Sequence, residues 1–269
     1  MNVKFVDTPA RENIIELKNI GQSYDGGANW IIKDLNMLIE DKPDQGQFIV
    51  LLGMSGSGKS TLLRYIAGLQ QPTEGEVLIK GKPVTDKQRI SMVFQEYSSL
   101  PWMTVLDNVA LALEYQGLPK SERYPRAMEM IELVGLAGHE KKYAQIPALS
   151  GGQLQRVAIA RSIIANPEII LMDEPFGALD IKTRVQMQEL LVKLWHRFSS
   201  TILFVTHDIS EAVYLADEIF IMKSPPSNIV EHIDIDLPLQ RDYTTKRDKH
   251  FTELVQHVED TMMKVAEQK

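Results

Sequence analysis

A glycine-rich loop between an apolar run and an amphipathic stretch constrains this chain more than any other feature. The run Phe48-Ile49-Val50-Leu51-Leu52 predicts a buried parallel strand, and residues 61–67 predict the first turns of a helix. The loop from Gly53 to Thr61 matches the pattern G-x-x-x-x-G-K-[ST]. Its glycines let backbone N–H groups approach an anion, and the helix start directs unpaired amides at the same point. The sequence therefore predicts an α/β fold with a phosphate-binding loop.

The same loop supplies side chains for a nucleotide and its metal. Lys59 can reach the β- and γ-phosphates, Ser60 places a hydroxyl where Mg²⁺ would sit, and Thr61 can donate to a phosphate further back. A glycine turn before an ordinary helix is the alternative, and the apolar strand in front disfavours it. We predict that the nucleotide is held by Gly53, Ser55, Gly56, Ser57, Gly58, Lys59, Ser60 and Thr61.

Composition excludes several other classes of protein. The 269 residues fit one large domain or a core with an inserted lobe. A net charge of -7 and a pI near 5.5 argue against nucleic acid or anionic lipid as a bulk partner. The absence of cysteine excludes disulfides, cysteine nucleophiles and thiolate metal sites. The N-terminus lacks a signal-peptide core and no stretch has the length of a membrane helix, so we expect a cytoplasmic protein whose membrane role comes through a partner.

Hydrophobic spacing divides the chain into two kinds of sheet. Residues 12–52 contain short alternating strands with polar turns and predict an antiparallel sheet at the edge of the fold. After Ser150, helix and strand alternate as in a parallel sheet that is covered by helices. Strands are expected at Ile90–Phe94, Ile169–Asp173 and Ile202–Thr206.

A helical segment interrupts this pattern. Helices are expected at Val105–Gln116 and at Ser121–Val134, the second with Ser121 as its N-cap. The stretch from Thr245 to Lys269 carries one apolar face and predicts a C-terminal helix. The expected organisation is a core with the antiparallel part and the phosphate loop (1–96), an inserted helical subdomain (97–148), the continued core (149–240) and a C-terminal extension (241–269).

Two acidic residues end an apolar strand and are candidates for the chemistry. Neighbouring side chains of a strand diverge, so Asp173 and Glu174 should have different tasks. Asp173 is the candidate to hold Mg²⁺ beside Ser60. Glu174 is the candidate general base for the attacking water, an effect worth about 10²–10⁴ in rate. A solvated turn is the alternative for this pair.

Three further residues occupy element ends close to the predicted site. His207 follows an apolar strand and could hydrogen-bond the γ-phosphate or orient Glu174, or it could cap the next helix. Gln95 could reach Mg²⁺ or the lytic water. Tyr24, in an early loop, could stack on a base by its ring face or have a surface role.

These motifs together carry a family likeness. The chain resembles the ATP-binding subunits of ATP-binding cassette (ABC) transporters over nearly its whole length. The resemblance implies the fold of a P-loop NTPase of the ABC ATPase type, with ATP and Mg²⁺ as cofactors and ATP hydrolysis as the reaction. The motifs, in chain order, are the loop Gly53 to Thr61, Gln95, the signature Leu149-Ser150-Gly151-Gly152-Gln153, Asp173-Glu174, Ala178-Leu179-Asp180 and His207. The metal ligands that we expect are Ser60, Gln95 and Asp173.

The signature motif indicates that two copies are needed. Ser150 stands at a cap position before a second helix, and such a helix start binds anions. The γ-phosphate, however, is already held by the loop around Lys59 of the same chain. We therefore expect Ser150, Gly151, Gly152 and Gln153 to cover a nucleotide held by another subunit, in a head-to-tail pair with two-fold symmetry that buries two ATP molecules. Asp180 is expected near this shared surface.

The inserted helices are expected to contact a membrane partner. Gln95 and Ser150 flank the insert, so both of its ends are connected to residues that sense phosphate. Leu100, Trp102 and Met103 are the candidate contacts, with core packing as the alternative. The segment Leu100 to Val109 is similar to the importers of nitrate, sulfonate and taurine, as are residues 224–225, 229–230 and 236–238.

The sequence thus favours the ATPase subunit of an importer that lies on the inner face of the cell membrane. Its partners would be a second ATPase subunit, either a copy of itself or a related chain, integral membrane permease subunits, and an extracytoplasmic binding protein for a small oxyanion or similar solute. Three other readings stay open. They are a soluble cassette ATPase of DNA repair or translation, a P-loop kinase of small molecules, and the ATPase of an exporter or lipid carrier.

Overall fold

The structure, a computed structural model, describes residues 13–42, 46–85, 88–96 and 98–267. Residues 1–12 of the expected core, Tyr97 at the expected start of the insert and residues 268–269 of the expected extension lie outside this part of the chain. The strands are β1 (Asn13–Ser23), β2 (Trp30–Glu40), β3 (Phe48–Gly53), β4 (Glu74–Ile79), β5 (Lys82–Pro83), β6 (Ile90–Val93), β7 (Ile169–Asp173), β8 (Thr201–Thr206), β9 (Glu218–Met222) and β10 (Ile229–Asp234). The helices are α1 (Lys59–Ile66), α2 (Val105–Tyr115), α3 (Lys120–Leu133), α4 (Gly151–Ile163), α5 (Ile181–Phe198), α6 (Ile209–Leu215) and α7 (Lys249–Glu267).

A six-stranded sheet in the order β10-β9-β3-β8-β7-β6 forms the centre of the fold. All of its pairs are parallel except β9 with β10. Every residue of β3, β7 and β8 is buried, as expected for strands of a parallel sheet that is covered on both faces. The carboxyl ends of these three neighbouring strands, at Gly53, Asp173 and Thr206, therefore meet at one edge of the sheet.

A second sheet, in the order β2-β1-β4-β5, is antiparallel throughout and confirms the predicted edge sheet. The alternation of β3 divides the core into two apolar clusters. Phe48, Val50 and Leu52 belong to the cluster that includes the insert and the later helices. Ile49 and Leu51 belong to the cluster that fills the space between the parallel sheet, α1 and the antiparallel sheet. The phosphate loop thus follows a strand that is packed on both faces.

The insert is helical, as predicted, but its second helix begins earlier than expected. Ser121 is not the N-cap of α3, because the helix begins at Lys120 and Pro119 occupies the cap position with φ -66° and ψ 156°. Proline fixes φ near this value and has no N–H to leave unpaired at a helix start. In α2 the cap is Thr104, whose hydroxyl accepts a hydrogen bond from the backbone N–H of Asp107.

The C-terminal segment differs from the single helix that the sequence predicts. A short 3₁₀ turn at Thr245–Arg247 precedes α7, and Asp248 between them is extended. The carboxylate of Asp248 accepts a hydrogen bond from the N–H of His250 at 2.8 Å, which favours a new helix start at this point. Across the described ranges, no helix has both the length and the apolar character that crossing a bilayer requires.

Candidate nucleotide-binding site

Two glycines allow the loop after β3 to wind closely, and neither can be replaced without strain. Gly58 caps α1 at φ 85°, in the left-handed region that favours glycine. A Cβ atom on Gly53 would lie 2.7 Å from the carbonyl oxygen of Met222 in β9. The first turn of α1 contains no acidic side chain. The helix start can therefore present its amides to an anion without a competing carboxylate.

Lys59 lies across this loop and is almost completely buried. Its Nζ donates to the carbonyl oxygens of Gly53 and Met54 at 2.8 and 2.9 Å. Burial lowers the pKa of Lys59, whereas the carboxylates of Glu174 and Asp173 raise it. The Lys59 Nζ to Glu174 Oε1 distance is 3.9 Å. The structure thus places a cation between the loop and the two acidic residues at the end of β7.

Ser60 and Asp173 form a pair of oxygen ligands at the edge of the sheet. The Ser60 hydroxyl donates to Asp173 Oδ1 at 2.8 Å. Burial raises the pKa of Asp173, the Ser60 hydrogen bond lowers it, and the nearby Glu174 charge raises it further. A divalent cation would favour the ionised carboxylate, and hard cations prefer hydroxyl, carboxylate and amide oxygens. Together with the amide oxygen of Gln95, which lines the same cleft, this set fits Mg²⁺.

Glu174 follows the last residue of β7 and leaves the strand conformation. Its φ is 41°, a left-handed conformation that is uncommon for a side chain other than glycine. Its N–H donates to the carbonyl oxygen of Val205, and its Oε2 lies 3.1 Å from His207 Nδ1. The N-cap of α6 is Asp208, whose carboxylate accepts from the N–H of Glu211. His207 is therefore not a helix cap and is free to contact the candidate base.

The structure brings seven of the fourteen predicted nucleotide ligands into one cleft, namely Tyr24 and six residues of the phosphate loop. Tyr24 lies at its mouth with 69% of its surface exposed. Ser57 does not line this cleft, and its hydroxyl is buried beside Gly53 with no hydrogen-bond partner among the described residues. Only the backbone of Ser57 is thus available to a phosphate. The cleft is lined by Tyr24, Ile31, Ser55, Gly56, Gly58, Lys59, Ser60, Thr61, Gln95 and Glu174.

The signature residues are not among the residues that line this cleft. Ser150 is the N-cap of α4, where its Oγ accepts from the N–H of Gln153 at 3.3 Å. The side chain of Gln153 completes a capping box by accepting from the Ser150 N–H at 2.9 Å. The Gln153 oxygen is therefore occupied by this cap. Ser150 uses its oxygen as an acceptor, and its hydroxyl proton can still be donated.

Gly152 and Asp180 connect the signature helix to α5. Gly152 is buried, and a Cβ atom on it would lie 2.5 Å from Thr183 Cγ2. Asp180 caps α5 by accepting from the N–H and the hydroxyl of Thr183. Gly152 thus permits close packing of the start of α4 against the start of α5.

Three side chains that share a cavity with His207 were not identified from the sequence. Arg184, Asp208 and Glu211 line a small cavity that also contains Glu174 and His207. No motif marks them, since an acidic residue in the first turn of a helix is common for reasons of the helix dipole. Their position depends on the packing of α5 against α6, which spacing along the chain does not reveal.

The site contains a buried lysine and an acidic pair beside a glycine-rich helix start. This combination defines a P-loop nucleotide-binding protein. Comparison with known proteins narrows this class. Residues 34–177 match the model of the ABC transporter family. The nitrate import ATP-binding protein NrtD of Synechocystis is 43% identical over 88% of this chain and 90% of its own length. The taurine import ATP-binding protein TauB of Pseudomonas savastanoi is 43% identical over 91% of this chain and 94% of its own.

A solved structure agrees with these relatives. The dimeric, post-hydrolysis ATP-binding cassette MJ0796 bound to ADP and Pi has a TM-score of 0.70 and 35% identity, over 83% of this chain and 100% of its own. The chain belongs to the ABC transporter family and is an ATP-binding, ATP-hydrolysing cassette. The predicted family, fold class and enzyme class are therefore confirmed.

Proposed function

We propose that this cassette is the ATPase subunit of an importer of a small oxyanion or similar solute, of the nitrate, sulfonate or taurine type. It would lie in the cytoplasm on the inner face of the cell membrane, beside separate permease subunits that receive solute from an extracytoplasmic binding protein. The relatives named for nitrate import and taurine import support the importer class. The relatives named above do not give the same support to an exporter or lipid-carrier ATPase or to a cassette without a transport role.

The observation that carries the proposal is the separation of the signature helix start from the cleft. The cleft contains the phosphate loop and the candidate base Glu174, which His207 contacts from outside the lining, but the residues that line it do not include Ser150. A second edge is formed by the starts of α4 and α5, which pack together at Gly152 and Thr183 and are capped by Ser150 and Asp180. The cleft supplies the phosphate loop and the candidate base, and the second edge supplies the signature helix start. A head-to-tail pair of subunits would bring the two edges together around two ATP molecules.

The residues of the cleft then have separate roles in hydrolysis. Lys59 would bind the β- and γ-phosphates with the loop amides, and Ser60, Asp173 and Gln95 would hold Mg²⁺. The ion would neutralise phosphate charge. Glu174 would accept a proton from the attacking water while His207 fixes its carboxylate. Closure of the dimer would exclude water, and loss of the γ-phosphate contact would let the subunits separate.

The insert, residues 97–148, would dock on the permease. Trp102 lies in the loop before α2 with 70% of its surface exposed, while Leu100 and Met103 are half-buried. Exposed tryptophan is enriched at interfaces, where its large ring fills a pocket on the partner. The insert is connected to the core at Gln95 and at Ser150, so a movement at the nucleotide would reach this docking surface.

The test begins with Glu174→Gln, which removes the base and leaves the phosphate loop unchanged. We expect this variant to bind ATP without turnover and to elute as a dimer on gel filtration with ATP and Mg²⁺. Glu174→Gln combined with Lys59→Ala is the matched control and should stay monomeric. Normal hydrolysis by Glu174→Gln would exclude Glu174 as the base. A coupled assay should also detect ADP without any phosphorylated small molecule, whereas a kinase would form one.

A mixing experiment tests the shared site directly. Ser150→Arg and Lys59→Ala should each be inactive alone. In a one-to-one mixture half of the dimers are mixed, and each of these has one intact site, so about a quarter of the wild-type activity should return. If the mixture stays inactive, the signature helix does not act on the partner's nucleotide.

A further inference from the structure

A continuous array of hydrogen bonds leads from the histidine of the site to the C-terminal segment. Thr206 Oγ1 donates to Glu211 Oε2 at 2.7 Å, and Gln188 Nε2 donates to Glu211 Oε1 at 2.8 Å. Lys246 Nζ donates to Gln188 Oε1 at 2.7 Å. At the other end, the N–H of Asp208 donates to Thr206 Oγ1 at 3.0 Å. The array therefore contacts the chain on both sides of His207.

The direction of every bond in this array is fixed by its two ends. An ammonium group only donates, so Lys246 sets the oxygen of the Gln188 amide toward itself and the NH₂ group toward Glu211. At the other end, the Thr206 oxygen accepts from the N–H of Asp208 while its hydroxyl proton is donated to Glu211. Both oxygens of the Glu211 carboxylate thus accept. One amide flip at Gln188 would place two acceptors face to face.

The hydrogen-bonded groups of Gln188 and Glu211 are buried, so losing this orientation would cost free energy. Gln188 and Glu211 are 2% and 5% exposed, and burial raises the pKa of Glu211. A buried carboxylate requires hydrogen bonds or a counter-charge. Arg184 Nη1 lies 3.5 Å from Asp208 Oδ2. Lys246 is connected to Glu211 through the side-chain amide of Gln188. Lys246 is thus the cation that the C-terminal segment contributes to the buried acid.

Lys246 itself is held in place from two sides. Its Nζ lies 4.6 Å from the ring centroid of Tyr214 in α6. Arg241, further back along the chain, is buried and donates to the carbonyl oxygens of Tyr214 and Ala216 at 3.1 and 2.9 Å. The segment that carries Lys246 is therefore packed against α6, the helix that follows His207.

We propose that Lys246 is a positioning residue for His207: through Gln188 and Glu211 it fixes the Thr206–Asp208 turn so that the imidazole stays against Glu174. The C-terminal segment is then part of the hydrolytic machinery although it does not line the cleft. The proposal rests on the hydrolytic role assigned above to Glu174 and His207.

The test compares three variants of the full chain. Lys246→Met removes the charge and the donor but keeps a stem that can cover Tyr214. We expect kcat for ATP to fall about fivefold or more, which corresponds to the loss of one oriented hydrogen bond of about 1 kcal/mol, with KM unchanged. Lys246→Arg keeps a donor and should retain at least half of the wild-type kcat. Lys249→Met removes a cation from the same segment outside the array and should match the wild type.

A second readout does not depend on turnover. The imidazole resonances of His207, assigned by their loss in His207→Ala, should shift in Lys246→Met and not in Lys249→Met. Wild-type protein without ATPase activity would contradict the proposed function, and the resonances would still decide whether Lys246 positions His207. Equal kcat in Lys246→Met and Lys249→Met, an unchanged His207 signal, or a rise in KM that Lys246→Arg does not reverse would each overturn the proposal.

Discussion

The packing of the signature helix α4 against α5 predicts that Gly152→Ala lowers the ATPase rate much more than it lowers the stability of the fold. In Gly152→Ala the new Cβ atom would lie 2.5 Å from Thr183 Cγ2, whereas carbon atoms in contact are about 3.5–4.0 Å apart. The start of α4 must therefore move away from α5 by about 1 Å. The side chain of Thr183 cannot rotate freely to make room, because its hydroxyl donates to Asp180 Oδ2 at 2.6 Å.

The stability cost of this substitution is small. Overpacking of a tight contact costs about 1–3 kcal/mol. Alanine is favoured over glycine in a helix by up to about 1 kcal/mol, and this gain offsets part of the strain. The activity cost is larger, because a displacement of about 1 Å in a catalytic group lowers rates by about 10²-fold. We therefore expect Gly152→Ala to fold almost normally and to lose about 10- to 100-fold in ATPase rate.

The assay pairs this variant with Thr183→Ser, which removes Cγ2 and keeps the hydroxyl that binds Asp180. Thr183→Ser alone should have near-normal activity, and the double variant should recover to within about threefold of the wild type. ATP binding to the single subunit, measured with a fluorescent nucleotide, should stay unchanged in all three, because the signature residues do not line the cleft. Full activity in Gly152→Ala, or no recovery in the double variant, would refute this reasoning.

Two further predictions concern the C-terminal half of the chain. Arg241→Met breaks the ion pair with Asp217, whose other oxygen still accepts from the Phe48 N–H, and it leaves two carbonyl oxygens without the donor that Arg241 supplies. Because a buried ion pair loses one partner, urea unfolding should show a loss of about 3–5 kcal/mol, whereas the exposed Arg247→Met should change little. Glu218 raises the pKa of His232 by a hydrogen bond of 3.0 Å. The stabilisation that this pair gives the folded state is therefore complete below the unfolded pKa of His232 and is lost as pH rises through its folded pKa. The destabilisation caused by His232→Ala should thus be larger at about pH 6 than at about pH 9, and equal values would contradict the assignment.

Local motifs predicted the elements whose structure is set by neighbouring residues. The phosphate loop, the strand before it and the acidic end of β7 lie at the expected residues, because each depends on a short stretch of sequence. Strands β9 and β10 were not predicted. β9 has only the residues Glu218–Met222, too few to separate a strand from a helix by periodicity, and β10 is an edge strand with mixed polarity.

Side-chain directions inside the site could not be predicted in the same way. The Ser57 hydroxyl faces Gly53, and Gly152 faces Thr183, because of contacts that form only when β9 or α5 packs in place. The contact of His207 with Glu174 joins positions 33 residues apart in the sequence. Motif spacing identifies such residues as candidates. It does not say which of them touch, and the conformation of Glu174 at φ 41° is visible only in the structure.

One geometric rule explains why part of the predicted site gathers within one subunit and the signature residues do not. Gly53, Asp173 and Thr206 end three parallel strands that are neighbours in the sheet, so the residues after them must gather at one edge. Ser150 follows a loop at the end of the insert and not a strand of this sheet. No rule of sheet topology brings it to the same edge. A second subunit is the simplest way to supply that helix start, which makes the mixing experiment the decisive test of the shared nucleotide site.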